Sequence, residues 1–139
     1  MAYKNFTNSY KLEVGINNVP SYQASGRPYA SGSINAKGKG GAIKIDFPFV
    51  TRWVQIYNHG TVDLRVGFSA AGTEGDNYFR VAKPAAGDTA VSARLELKVS
   101  ELWLSGSDSV DVVAGLTTIR SDRTDTLSGS SWSGSVGVG

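Results

Sequence analysis

The chain contains no cysteine, which excludes disulfides, thiolate metal sites and a cysteine nucleophile. Histidine occurs once, at His59. A histidine-based metal cluster is therefore out of reach, and any Ser-His-Asp relay would have to use that one ring. No apolar run approaches the roughly 18 residues that cross a bilayer. The opening Met1-Ala2-Tyr3-Lys4-Asn5 lacks the basic-then-apolar pattern of a secretory leader. The expectation is a soluble protein made without a cleaved signal, with no membrane contact and no cofactor. Helix-period hydrophobicity is scarce too, because apolar residues recur at two and not at three and four.

Glycine is abundant, at 17 of 139 residues, and serine and threonine accompany it. That composition and length suit one turn-rich all-β domain with a single core. The stretch VTRWVQIYNHGTVDLRVGFS, Val50 to Ser69, sets the pattern. Val54 and Ile56 share one face of a first run, and Leu64, Val66 and Phe68 share one face of a second. Asn58-His59-Gly60-Thr61-Val62-Asp63 joins them, so the stretch is predicted to be a hairpin of half-buried strands.

The same alternation recurs elsewhere. Ile43, Ile45 and Phe47 point inward from one predicted strand. Tyr78 to Val81 forms another. Val91, Ala93, Leu95, Leu97 and Val99 make a long inward stripe, followed by a strand over Glu101–Ser105. Val110, Val112, Ala114 and Leu116 complete the set. Ala70–Asn77, Pro84–Asp88 and Gly106-Ser107-Asp108 are read as polar loops and turns. About eight short strands at this spacing predict an antiparallel β-sandwich, jelly-roll-like, over residues 33–119. Residues 1–32 read as an amino-terminal arm. It carries a possible short strand over Tyr10–Ile16, and Pro20, Gly26 and Pro28 break the rest into turns. The arm could cover its own sandwich or a neighbouring subunit. Residues 120–139 form a Gly/Ser-rich tail in which Trp132 is either an anchor for a partner's pocket or part of a loosely ordered end.

Charge is unevenly spread. Residues 1–70 hold eight Lys/Arg and three Asp/Glu, and residues 71–139 hold six and nine, for a net +2. A basic first half can face an acidic partner, but no stacking platform interleaves with it, so nucleic acid is not expected.

Motifs with chemical meaning are few. Gly32 to Gly40 (GSINAKGKG) resembles a phosphate loop only loosely. Five residues separate its glycines instead of four, and Gly40 stands where a magnesium-binding hydroxyl belongs. It is read as an exposed turn. Glu74 and Asp76 lack the ligand spacing of a calcium loop and are read as solvated. Asn5-Phe6-Thr7 matches a glycosylation sequon by chance. His59, beside Gly60, is read as a turn or interface residue. Trp53, Tyr57, Tyr78 and Trp103 fall partly on faces opposite the apolar stripes. There they could stack on sugar rings or be covered by another subunit.

The segments Phe49–Trp53, Tyr57–Gly60, Leu64–Ser69, Asn77–Phe79, Leu102–Gly106 and Val113–Ile119 occur in order. Together they resemble small β-sandwich virion proteins of tailed bacteriophages, particularly phages of aquatic bacteria, that decorate or cement the capsid. The resemblance spans about residues 40–120. It implies a non-enzymatic structural role on the virion, at the capsid surface, after synthesis in the host cytoplasm. The implied partners are the major capsid protein and copies of the chain itself, often as trimers. No catalytic residues come with it. The residues expected to make partner contacts are Arg52, Trp53, Tyr57, Trp103 and Trp132. A carbohydrate- or receptor-binding module of a tail fibre or spike is the alternative.

Overall fold

A computed structural model describes residues 26–38 and 40–121. Eight strands and one short helix follow in the order β1 (Arg27–Ile34), β2 (Ile43–Asp46), β3 (Phe49–Asn58), β4 (Leu64–Gly67), α1 (Ala70–Glu74), β5 (Tyr78–Val81), β6 (Ala90–Val91), β7 (Glu101–Ser105) and β8 (Val110–Arg120). They build two antiparallel four-stranded sheets, β1-β8-β3-β6 and β2-β7-β4-β5. First pairs with last, second with seventh, third with sixth and fourth with fifth. This nesting is that of one long hairpin wound into two layers. It is the double Greek-key order of a jelly roll, so the expected all-β sandwich is the fold observed.

The inward stripes meet between the layers. Val54, Ile56, Leu64, Val66, Leu102, Leu104 and Val110 are fully buried, and Phe47, Val112, Ala114 and Leu116 nearly so. Each buried valine, leucine or isoleucine among them contributes about 1.5–3 kcal/mol relative to an exposed one. Phe47 also meets Tyr29 of β1 edge-to-face at 5.0 Å.

Four expectations need correction. The Val50–Ser69 stretch is not a hairpin: β3 and β4 lie in different sheets, and Asn58–Asp63 carries the chain from one layer to the other. Period-two alternation shows which face of a strand is inward. It does not show which strand lies beside it, and here the buried Asn58 side chain anchors the crossing. Its Nδ2 donates to the carbonyls of Val62 (3.0 Å), Val81 (3.1 Å) and Ala82 (3.3 Å). Its Oδ1 accepts from Gly60 N (2.9 Å) and Ser107 Oγ (2.7 Å).

The second correction concerns the arm. β1 begins at Arg27, inside the stretch read as turns, and pairs Pro28 with Gly115 of β8. Pro28 is tolerated because β1 is an edge strand. The third concerns the polar loop after β4, which forms α1. Ser69 caps it by accepting from Gly72 N, and the Thr73 hydroxyl donates to the Ser69 carbonyl. Glu74 is not merely solvated, because its Oε1 accepts from Ala42 N (2.9 Å) and ties α1 to the start of β2.

The fourth is the long stripe after Ala90. Only Ala90–Val91 is regular strand. The chain then gains a residue against β3, since Ser92 lies opposite Ile56 while Leu95 bridges Val54. One added residue exchanges the two faces. Leu95 and Leu97 therefore turn inward and Val99 is buried, whereas Val91, 48% exposed, and Ala93 point out. The possible strand at Tyr10–Ile16 and the tail with Trp132 lie outside the described residues.

Candidate functional site

The five residues expected to make partner contacts do not share one surface. Trp53 and Tyr57 alternate with the buried Val54 and Ile56 on β3, so both stand on the outer face of the β1-β8-β3-β6 sheet. Arg52 sits where the β3–β8 register shifts. Its guanidinium turns to the sandwich edge and pairs with Glu96 at 3.2 Å. Trp103 alternates with Leu102 and Leu104 and stands on the outer face of the other sheet. There its Nε1 donates to Glu101 Oε2 (2.7 Å), and Lys44 Nζ lies 5.9 Å from the ring centre. Trp132 lies outside the described residues.

Around Trp53 and Tyr57 the structure assembles a surface that the sequence did not reveal. Strand register places Pro28, Gly115 and Trp53 in one row across β1, β8 and β3, and Ala30, Val113 and Gln55 in the next. Asp111, Tyr57 and Val91 make the third. The first two rows have a smooth floor, because proline, alanine and valine carry short apolar side chains and glycine carries none. Trp53 and Tyr57 flank that floor. Arg94 lies 5.1 Å over the Trp53 ring, and Gln55 Nε2 donates to the Ser92 carbonyl (3.1 Å). The first two rows are thus mostly apolar, with Gln55 engaged through its Nε2, and Asp111 brings a carboxylate to the third. A hollow of ≈ 390 Å³ opens at its Tyr57 end, lined by Ala30, Gly32, Tyr57, His59, Asp111 and Val113 among others.

At the rim of that hollow His59 joins residues far away in sequence. Its Nε2 lies 2.7 Å from Asp111 Oδ2 and its Nδ1 lies 2.9 Å from Thr89 Oγ1. Asp111 Oδ1 accepts from Ser33 N (2.9 Å), and Ser33 adopts a left-handed φ of 55° to present that N–H. The carboxyl of Asp111 is held below its ordinary value. The Ser33 N–H is the largest cause; desolvation opposes it, and the hydrogen bond and charge of His59 add smaller lowering contributions. Spacing alone suggests no partners for His59. A hydroxyl, an imidazole and a carboxylate in line can pass a proton. They also clasp the β3–β4 crossing, the segment before β6, and the β1–β8 pair. Among the described residues no three His, Asp or Glu side chains group closely enough to hold a metal ion, and no helix is long and apolar enough to cross a membrane.

The other outer face carries charge. Arg65, Arg80 and Lys83, with Val62, Asp63, Ser105 and Gly106, line a groove of ≈ 520 Å³. Of the glycine-lysine stretch read as an exposed turn, Gly32 to Ile34 belong to β1 and Ala36 is buried, while Gly38 and Gly40 lie exposed in bends at φ of 67° and 77°.

Comparison of the chain with protein-family models, with curated proteins and with solved structures finds no match in any of the three.

Proposed function

We propose that this chain is a structural protein of a bacteriophage virion, a capsid decoration or cement protein that binds the head shell at capsomer seams and associates with copies of itself. The observation that carries this reading is the flat apolar face built by Pro28, Ala30, Val113, Trp53, Tyr57 and Val91 on the outside of one sheet. Aromatic anchors set on a smooth apolar floor suit burial by another protein surface. A jelly roll is a rigid scaffold for such a face, and capsid domains are among its users. The order of short strand motifs over residues 40–120 supports the same reading by resemblance. Cementing requires only modest contacts per site, because attachment across several subunits multiplies them.

The alternative is a carbohydrate- or receptor-binding module of a tail fibre or spike. It draws support from the lectins that share the jelly roll. Against it, the rings best placed to stack on a sugar already have cations over them: Arg94 over Trp53 and Lys44 over Trp103.

The test uses purified particles and the isolated protein. Mass spectrometry of mature virions is expected to find the chain at fixed stoichiometry with the major capsid protein. Trp53→Ala with Tyr57→Ala is expected to release it from heads while leaving its β-sheet circular dichroism intact. Absence of the chain from mature particles refutes the proposal. Glycan-array binding lost with Trp103→Ala or Trp53→Ala selects the alternative.

A further inference from the structure

Arg65 of β4 and Arg80 of β5 occupy directly opposed positions on neighbouring antiparallel strands. Both alternate with buried residues, Leu64 and Val66 on one strand and Val81 on the other, so both point away from the core. Opposed side chains on such a pair have Cβ atoms about 5 Å apart, and like charges there repel. A sequence under no other demand would place a carboxylate at one of the two positions. Here neither arginine has an ion pair among the described residues, nor does Lys83, which lies just beyond β5.

The arginines are nevertheless held in position. Tyr78, one row away on β5, lies under both guanidiniums, 4.4 Å from Arg65 and 5.5 Å from Arg80. Its hydroxyl also accepts from Arg80 Nη2 at 3.1 Å. Stacking on one ring keeps the forks close while leaving donors for something else. The third cation is placed by its own backbone: Lys83 N donates to Asp63 Oδ1 (2.8 Å), which brings that residue to the groove wall. Asp63 is the one carboxylate lining the groove, and one of its oxygens is thereby engaged. Ser105, opposite Arg65 on β7, adds a hydroxyl to the same wall.

We propose that this groove binds a doubly charged tetrahedral oxyanion, a phosphate or sulfate group, between Arg65, Arg80 and Lys83. Three cations offset by one partly engaged carboxylate match a dianion in charge. Two guanidinium forks approaching from different strands match oxygens that do not lie in one plane. The site is the size of one group and not of a chain of phosphates, because from Trp103 onward the same sheet face pairs Lys44 with Asp46 at 3.4 Å and adds the buried carboxylate of Glu101. Bound there, the anion screens the repulsion between the two arginines and so stabilises the β4–β5 pair.

Calorimetric titration of the full chain with sodium sulfate and with sodium phosphate, at constant ionic strength in chloride, tests this. One dianion is expected to bind per chain, and acetate is expected to bind more weakly. Arg65→Gln with Arg80→Gln is expected to weaken sulfate binding at least about tenfold, because two charge-assisted contacts are lost. Lys83→Gln, outside the strands, is expected to weaken it several-fold. Arg94→Gln removes the same charge from the other sheet and is expected to change nothing. In chloride alone the double variant is expected to melt no lower than the parent, because it removes a like-charge pair. Glucose 6-phosphate binding as well as free phosphate would identify an ester as the ligand. Equal affinity in the double variant overturns the proposal, as does equal loss in Arg94→Gln or equal binding of acetate. Affinity for oligothymidylate that grows with length overturns the single-anion site.

Discussion

Replacing Asn58 by alanine tests the joint between the two sheets. The side chain is fully buried, and it serves the ends of strands from both layers. Two amide hydrogens are shared among the carbonyls of Val62, Val81 and Ala82, and the carbonyl oxygen accepts from Gly60 N and Ser107 Oγ. Removing it strands several buried groups at once. Each unsatisfied group costs about 1–3 kcal/mol, but the carbonyls keep second lone pairs and a water could enter part of the space. The net loss is therefore set at about 3–5 kcal/mol, in the range of broken buried networks. A domain of this size has about 5–15 kcal/mol in total, so the melting temperature should fall by roughly 10–20 °C. Urea unfolding followed by tryptophan fluorescence reads the change directly.

Asn58→Asp sharpens the test. The near-isosteric carboxylate keeps both acceptor contacts but sets negative oxygens against three carbonyls. It should cost at least as much as alanine at pH 7. Burial raises the carboxyl's folded value above about 3.9, so the native state holds its proton to higher pH than the unfolded chain. Stability then falls as pH rises through that window. The variant is expected to approach the parent near pH 4, where the protonated group can donate to a carbonyl. A loss below about 1 kcal/mol in Asn58→Ala, well short of the cost of a broken network, would refute this account of the crossing. So would an Asn58→Asp stability that does not depend on pH.

Two further outcomes follow from the same geometry. Gly67→Ala puts a methyl against Thr73 Oγ1 and within 3.0 Å of the Asn77 carbonyl. It should lift α1 off β4 at a cost of about 1–3 kcal/mol, read by urea unfolding, and an unchanged midpoint would show that α1 does not bear on that strand. Asp111→Asn should cost under about 1 kcal/mol at pH 7, because Asp111 and His59 are both partly exposed. The Asp111 carboxyl titrates lower when folded than its ordinary 3.8. Its contribution is therefore fully present above that value and is lost as pH falls through the folded one. The difference between parent and variant in thermal melts should shrink as pH is lowered below 3.8; a difference that does not change with pH would refute the clasp.

The candidate surfaces were only partly legible in the chain. Trp53, Tyr57 and Trp103 could be assigned to outward positions because their neighbours Val54, Ile56, Leu102 and Leu104 are apolar at alternate places. That two of them share a floor with Pro28, Ala30 and Val113, while the third lies on the opposite side, depends on β8 running between β1 and β3. His59 reaches Thr89 and Asp111 across separations of 30 and 52 residues, and no local pattern signals such contacts. Arg65 and Arg80 look like ordinary outward residues until the register sets them face to face.

By itself the sequence determined the all-β class and the segments that form β2 to β5, β7 and β8, because the pleat imposes its period of two on each strand independently of the rest; β1, read as turns, and the irregular stretch after Val91 were not determined that way. The tertiary structure alone decided which sheet each strand joins, where an inserted residue turns Val91 outward, and that a serine cap closes α1 over Gly67. Those outcomes depend on hydrogen bonds and close contacts between residues distant in the chain. Alternation is unchanged by them and so carries no record of them.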